Sequence, residues 1–135
     1  MEIVIPRDEE KALIGKLKLR RDTEARRMMK YLEMPDLSRT PGNPLFELVE
    51  KIKSVPLQKN FDIINIPEIV PVSVSFDLFD FAPDHPNRNK SDTYYVDDKN
   101  ILRTHDTVFW YYYLNLPEIK RRVANRESMG TLCYG

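Results

Sequence analysis

The sequence predicts an α+β fold in which an N-terminal helix precedes β-strands, among them an antiparallel hairpin, and further helices. Three observations carry that expectation. Residues 8–33 are highly charged with apolar residues at helical spacing, residues 61–76 are rich in β-branched side chains, and two β-prone runs flank Asp97-Asp98-Lys99-Asn100. A chain of 135 residues that is 41% hydrophobic and 10% aromatic holds enough apolar surface for one core and is short for two ordinary domains.

The N-terminal helix is read from Leu13, Leu17, Ala25, Met28 and Leu32, which share one helical face. Asp8 is placed to cap it, Glu9 and Glu10 suit the positive end of its dipole, and Gly15 is its expected weak point. Lys16, Lys18, Arg20, Arg21, Arg26, Arg27 and Lys30 outnumber Asp22 and Glu24 there. The plain reading of these charges is a solvated face, and the alternative is contact with an RNA backbone. Residues 34–44, with Pro35, Pro41, Gly42 and Pro44, cannot continue a helix. Residues 1–40 therefore read as a helical arm and linker, and residues 41–135 as the main domain. Asn43-Pro44 supplies an N-cap and a first-turn proline for a second helix, along which Leu45, Leu48, Val49, Ile52 and Val55 recur until Pro56.

Within residues 61–76, Asp62, Ile64 and Ile66 alternate with Phe61, Ile63 and Asn65, and Val70, Val72, Val74 and Phe76 alternate again, which predicts two strands punctuated by Pro67 and Pro71. Thr93–Val96 and Ile101–Thr104 read as the arms of an antiparallel hairpin. The run 107–116 reads as a helix capped by Asp106 or Thr107 and ended by Pro117, which starts another short helix over 117–128. The last residues, GTLCYG, look like the opening of a strand. Tyr94, Tyr95 and the aromatic run Trp110–Tyr113 are expected to pack in the core rather than to form a base-stacking platform.

Lys plus Arg equal Asp plus Glu at 21 each, so no global field draws the chain to nucleic acid or a membrane, and such a partner would need a local patch. Cys133 is the single cysteine and has no partner for a disulfide or a zinc pair. With no leader and no apolar window long enough to span a bilayer, the expected location is the cytoplasm. His85 and His105 lie among Asp84, Asp92, Asp97, Asp98 and Asp106, but the spacing matches no metal-ligand signature, so no metal site is expected. No nucleophile motif surrounds Cys133, and glycines at 15, 42, 130 and 135 build no phosphate-cradling loop.

Taken in order, NPLFELVEKI, FDIINIPEI, FDLFDFAPDHPNR, SDTYYVDD and ILRTHDT resemble the catalytic domain of phenylalanyl-tRNA synthetases, of the alpha-subunit type and the single-chain organellar type. The resemblance spans about residues 40–107. It makes Pro44–Ile69, with Pro67-Glu68, similar to the first signature motif of class II synthetases, which usually forms a subunit interface. It makes the sheet part of a class II antiparallel sheet. Phe76-Asp77, Pro83–Arg88 and Asp92–Tyr95 match family segments, and Leu102–Thr107 matches a run whose His or Gln and Ser line the phenylalanine pocket. The implied substrate-binding residues are His105 and Thr107, with Asp106 standing where the family has a neutral Thr and able to add a carboxylate near an ammonium.

The same resemblance implies a ligase that uses ATP and Mg2+ to form an adenylate from phenylalanine and passes the acyl group to tRNA-Phe. The ATP-clamping arginines of the second and third signature motifs are absent from these residues. The chain alone is therefore expected to be an inactive, truncated part of that enzyme with no catalytic residue of its own. A homo-oligomer or another synthetase chain is the expected protein partner. The alternative is a non-catalytic synthetase-like protein that binds tRNA, an amino acid or a protein.

Overall fold

The computed structural model describes residues 1–135. Strand β1 (Glu2–Val4) is followed by helices α1 (Asp8–Leu19), α2 (Thr23–Leu32) and α3 (Pro44–Lys53). Strands β2 (Asp62–Asn65) and β3 (Ile69–Pro71) precede a single helical turn, α4 (Val72–Ser75). Next come β4 (Tyr95–Asp97), β5 (Asn100–Leu102), α5 (Phe109–Asn115), α6 (Pro117–Ala124) and β6 (Thr131–Cys133), with short 3-10 turns between several of them. The result is a mixed α/β chain with two small sheets, which falls into two units.

One unit comprises residues Met1–Ile5, Pro35–Ile66 and Phe109–Gly135. Its sheet is parallel, with β2 central between β1 and β6: Glu2 lies opposite Ile63, and Ile63 opposite Leu132. The sheet expected from sequence was antiparallel, and β1 was not anticipated, because a three-residue strand declares itself only through its partner. A strand with neighbours on both sides suits the alternation read for it: Asp62, Ile64 and Ile66 are buried. Helix α3 starts as expected, Asn43 Oδ1 accepting from Leu45 N at 3.0 Å. It ends at Lys53, ahead of Pro56, which opens a 3-10 turn. None of the residues of α3 is buried. Helix α6 stops at Ala124, short of the expected 128. Of the aromatic run, Tyr113 is buried, whereas Trp110 and Tyr111 are 44% and 41% exposed and do not fill the core.

Asp62 anchors this unit. Its carboxylate accepts from Tyr113 Oη at 2.6 Å and from Arg122 at 2.6 Å, and its other oxygen lies 3.2 Å from the Met1 amine. Burial raises the carboxyl's pKa, but these donors outweigh burial and hold it below the ordinary range.

The other unit comprises Pro6–Met34 and Pro67–Val108. Its sheet is antiparallel in the order β3-β5-β4, so the hairpin expected over 93–104 is present, tightened to turn at Asp98-Lys99. Asp97 Oδ1 closes the turn by accepting from Lys99 N and Asn100 Nδ2, both at 2.9 Å. Strand β3 ends at Pro71, and Val72, Val74 and Phe76 belong to no strand, contrary to their alternation. The cause is non-local. Pro71 pairs with Asn100, beyond which β5 has already turned, so no ladder remains and the chain coils back, with Phe76 N donating to Val72 O at 2.8 Å.

Helix α1 runs through Gly15 without a break. The break falls at Arg20–Asp22, where Asp22, a better N-cap than any neighbour, accepts from Ala25 N at 2.9 Å. Asp8 does not cap α1; Arg7 holds the N-cap position without a side-chain cap bond. Leu17, Ala25 and Met28 from the two helices pack on Ile69 and Val96, with Leu13 and Leu32 against them. Arg20 donates to Tyr95 O at 3.2 Å and Val96 O at 2.8 Å, occupying carbonyls of β4.

Glu10 fixes α1 to the start of β3. Its buried Oε1 accepts from Glu68 N at 2.6 Å and Ile69 N at 3.0 Å. Glu10→Ala is expected to cost about 2 kcal/mol in urea unfolding because it strands these backbone donors, and Glu10→Gln, which keeps an acceptor oxygen, about half as much. Equal loss in both variants would show that the carboxylate's charge, rather than its acceptor geometry, is what matters.

Candidate functional site

A cavity of about 520 Å³ opens in the unit that carries the hairpin, within the size range of about 300–1,000 Å³ usual for small-molecule sites. Its apolar lining is Phe76, Phe79 and Phe81, and its polar lining is Asn87, Asp92, Thr93, Thr104, His105 and Thr107. Local sequence explains why these meet. The α4 turn buries Ser75 and Phe76, and Asp80 then takes a left-handed backbone (φ 57°), which a short polar residue tolerates.

The loop that follows is held by Arg88. Its guanidinium donates to Phe81 O at 2.7 Å and Asp77 Oδ1 at 2.8 Å and lies over the Phe76 ring, 5.3 Å from the centroid. Tyr95 Oη donates to Arg88 O at 2.6 Å, and Thr93 Oγ1 donates to Asn87 O at 2.5 Å, which ties the loop to the hairpin. His85 is one turn of this scaffold: its Nδ1 accepts from Asn87 N at 3.2 Å, and its ring meets Phe81 edge-on at 4.7 Å.

The segment after β5 brings His105 and Thr107 together. His105 Nε2 lies 2.9 Å from Ser75 O, Nδ1 bonds Thr107 Oγ1, and the ring stands edge-on to Phe79 at 5.2 Å. A carbonyl oxygen can only accept, so Nε2 carries a proton, and in the neutral ring Nδ1 accepts the Thr107 hydroxyl proton. Two consequences follow. His105 has both nitrogens committed and serves to orient rather than to abstract protons. Thr107, with its proton directed at His105, is left with lone pairs to offer, a fit for an ammonium donor.

Asp106, between them, does not line the cavity. Arg103 Nη1 holds its carboxylate, while Arg103 Nη2 grips Glu68 at 2.9 and 3.1 Å. The carboxylate that could have met an ammonium is thus neutralised elsewhere, and the one carboxylate lining the cavity is Asp92. Sequence reading missed Ser75, Thr104 and Asn87. Thr104 lay inside the quoted run beside His105, whereas Ser75 becomes a partner only because 72–75 is helical. No group of three or more His, Cys, Asp or Glu side chains converges as a metal site. The cavity lining has no lysine or arginine and so does not by itself fit ATP with Mg2+.

A family model described as the class II core domain of tRNA synthetases (F) matches residues 30–127, which include the whole cavity. The chain belongs to the class II tRNA synthetase core-domain family. Among curated relatives of this synthetase family, a phenylalanine–tRNA ligase alpha subunit of Mycoplasmoides gallisepticum is 42% identical over 78 residues, 56% of this chain and 23% of that protein. One from Alkaliphilus metalliredigens is 35% identical over 88 residues, 62% of this chain and 26% of that protein. The mitochondrial phenylalanine–tRNA ligase of Saccharomyces cerevisiae is 41% identical over 66 residues, 48% of this chain and 14% of that protein. The match thus spans about a quarter or less of the length of these synthetases. No solved structure shows significant similarity to the chain. No helix is long and apolar enough to cross a membrane.

Proposed function

We propose that the chain supplies the amino-acid side of a phenylalanine–tRNA ligase active site, with His105 and Thr107 as its phenylalanine-binding residues. The observation that carries this reading is the His105–Thr107 pair, with His105 held on Ser75 O, in a cavity that Phe76, Phe79 and Phe81 also line. The ligand's ammonium meets the Thr107 lone pairs, with Asp92 supplying negative charge, and its ring packs on Phe76, Phe79 and Phe81. None of these residues takes or gives a proton in the reaction. Their work is binding and orientation.

The finer assignments belong to the same proposal. Residues 41–135 form the N-terminal part of the catalytic domain, preceded by residues 1–40 as a helical arm and linker. The sheet β3-β5-β4 is part of the class II antiparallel sheet, and Pro44–Ile69 is the first signature motif. Helix α3 exposes Leu45, Leu48 and Ile52 at 49%, 52% and 38%, an apolar stripe fitted to a second copy or another synthetase chain. The complete reaction draws on ATP, Mg2+ and tRNA-Phe, and the protein works in the cytoplasm.

Phenylalanine titrated into the 135-residue chain is expected to perturb the His105 ring and Thr107 methyl resonances in NMR, while ATP–pyrophosphate exchange stays at background. Resonances unmoved at millimolar phenylalanine would refute the pocket assignment. Exchange activity would refute the view that the phosphate-binding half of the site is needed from elsewhere.

A further inference from the structure

The cavity at His105 accepts hydrogen bonds more readily than it gives them. Of its donors, His105 Nε2 is committed to Ser75 O, the Thr107 hydroxyl to His105 Nδ1, and the Thr93 hydroxyl to Asn87 O. Thr104 Oγ1 shares one hydrogen bond with Ser75 Oγ at 3.2 Å. That leaves the exposed Asn87 amide, and the Thr104 hydroxyl when Ser75 supplies the shared proton, as donors to a ligand. The acceptors are more numerous, and one of them is charged. Thr93, Thr104 and Thr107 keep lone pairs, and the exposed Asp92 carboxylate is held by no cation of the chain.

No lysine or arginine offsets that charge inside the cavity. The neighbouring arginines are engaged elsewhere: Arg88 donates to Phe81 O at 2.7 Å and Asp77 Oδ1 at 2.8 Å, and Arg103 is held by Glu68 and Asp106. Lys90, two residues before Asp92, is not among the lining residues. An ammonium brings three donors, no acceptor and the charge that matches Asp92. A carboxylate brings acceptors alone and the charge that Asp92 repels. A free amino acid carries both groups on one carbon, so it cannot bring in the first without the second. We infer that the cavity selects aromatic ammonium ligands that carry no carboxylate, an arylalkylamine or an aromatic amino alcohol, over the free amino acid, with Phe76, Phe79 and Phe81 taking the ring. This selectivity rests on the reading of the cavity as the amino-acid pocket, and adds to it that the pocket by itself disfavours the carboxylate.

The test is an NMR titration of the full 135-residue chain at neutral pH, read at His105 and Thr107, with phenylalanine, phenylalaninol, phenethylamine and 3-phenylpropanoate as the probes. Phenylalaninol and phenethylamine are expected to bind about tenfold or more tightly than phenylalanine, with 3-phenylpropanoate weakest. Asp92→Asn, checked for folding by circular dichroism, is expected to weaken phenylalaninol about tenfold and phenylalanine less than about threefold, so that the preference narrows. Phenylalanine bound as tightly as phenylalaninol overturns the selectivity and leaves the pocket reading standing. An unchanged preference in Asp92→Asn overturns it too, because the discrimination then has another source. Phenylalaninol bound while phenylalanine stays silent at millimolar concentration upholds the selectivity and removes phenylalanine as the ligand. Silence from all four probes sinks both.

Discussion

His105→Ala is expected to weaken phenylalanine binding by about 10- to 100-fold, the worth of about 1.5–3 kcal/mol for polar contacts to a charged ligand. The loss is indirect. Without the imidazole, the Thr107 hydroxyl is free to rotate and no longer presents lone pairs to the ammonium, and Ser75 O loses its donor. His105→Gln tests the logic, because an amide carries both a donor for Ser75 O and an acceptor for Thr107. It should retain most of the affinity, as should Thr107→Ser, while Thr107→Val should resemble His105→Ala. Titration calorimetry on the four variants decides the matter, and equal affinity in His105→Ala and wild type would remove His105 from the site.

Asp62→Ala is expected to cost about 3–5 kcal/mol, because it leaves Arg122 without its buried partner and Tyr113 Oη without an acceptor. Trp110, the single tryptophan, lies in the same unit and reports its unfolding by fluorescence. The cluster also sets the pH range over which this unit is stable. The Asp62 carboxyl is held below its ordinary value, so its contribution is complete above the unfolded value of about 3.9 and is lost as pH falls through the depressed folded value. Burial first, then the hydrogen bond to Asp62, pushes Tyr113 up to about 12. The folded unit therefore favours the neutral phenol, so the stability this gives is complete below about pH 10 and is lost as pH rises through 12. Tyr113→Phe should therefore flatten the alkaline limb and cost only about 1 kcal/mol near neutrality. An unchanged alkaline limb in that variant would show that another group titrates there.

What the sequence made legible follows the range of the interactions that decide each element. The start of α3 was readable because Asn43 and Pro44 act on their own turn, and the hairpin because Asp97 closes it within three residues. Val72–Phe76 misled because alternation is only an offer of strand, and the partner that would accept it had already turned at Asp98-Lys99. The break of the N-terminal helix at Arg20–Asp22 rather than Gly15 has a local signal in Asp22, which caps α2, and Arg20 reinforces it by reaching the carbonyls of β4, far along the chain. In the site, His105 and Thr107 were visible as a motif. Ser75 and the withdrawal of Asp106 were not, since both depend on where Arg103 and the α4 turn lie.

The parallel order of β1, β2 and β6 bears on how the chain emerges during synthesis. Strand β2 gains its second neighbour only when residues 131–133 are made, whereas every part of the helix-and-hairpin unit has been made by Val108. Domains made first tend to fold first, and long-range parallel pairing is slow. The phenylalanine-lined cavity is thus free to form on the ribosome while β2 still has an open edge, and that edge is the segment most exposed to mispairing with a neighbouring nascent chain.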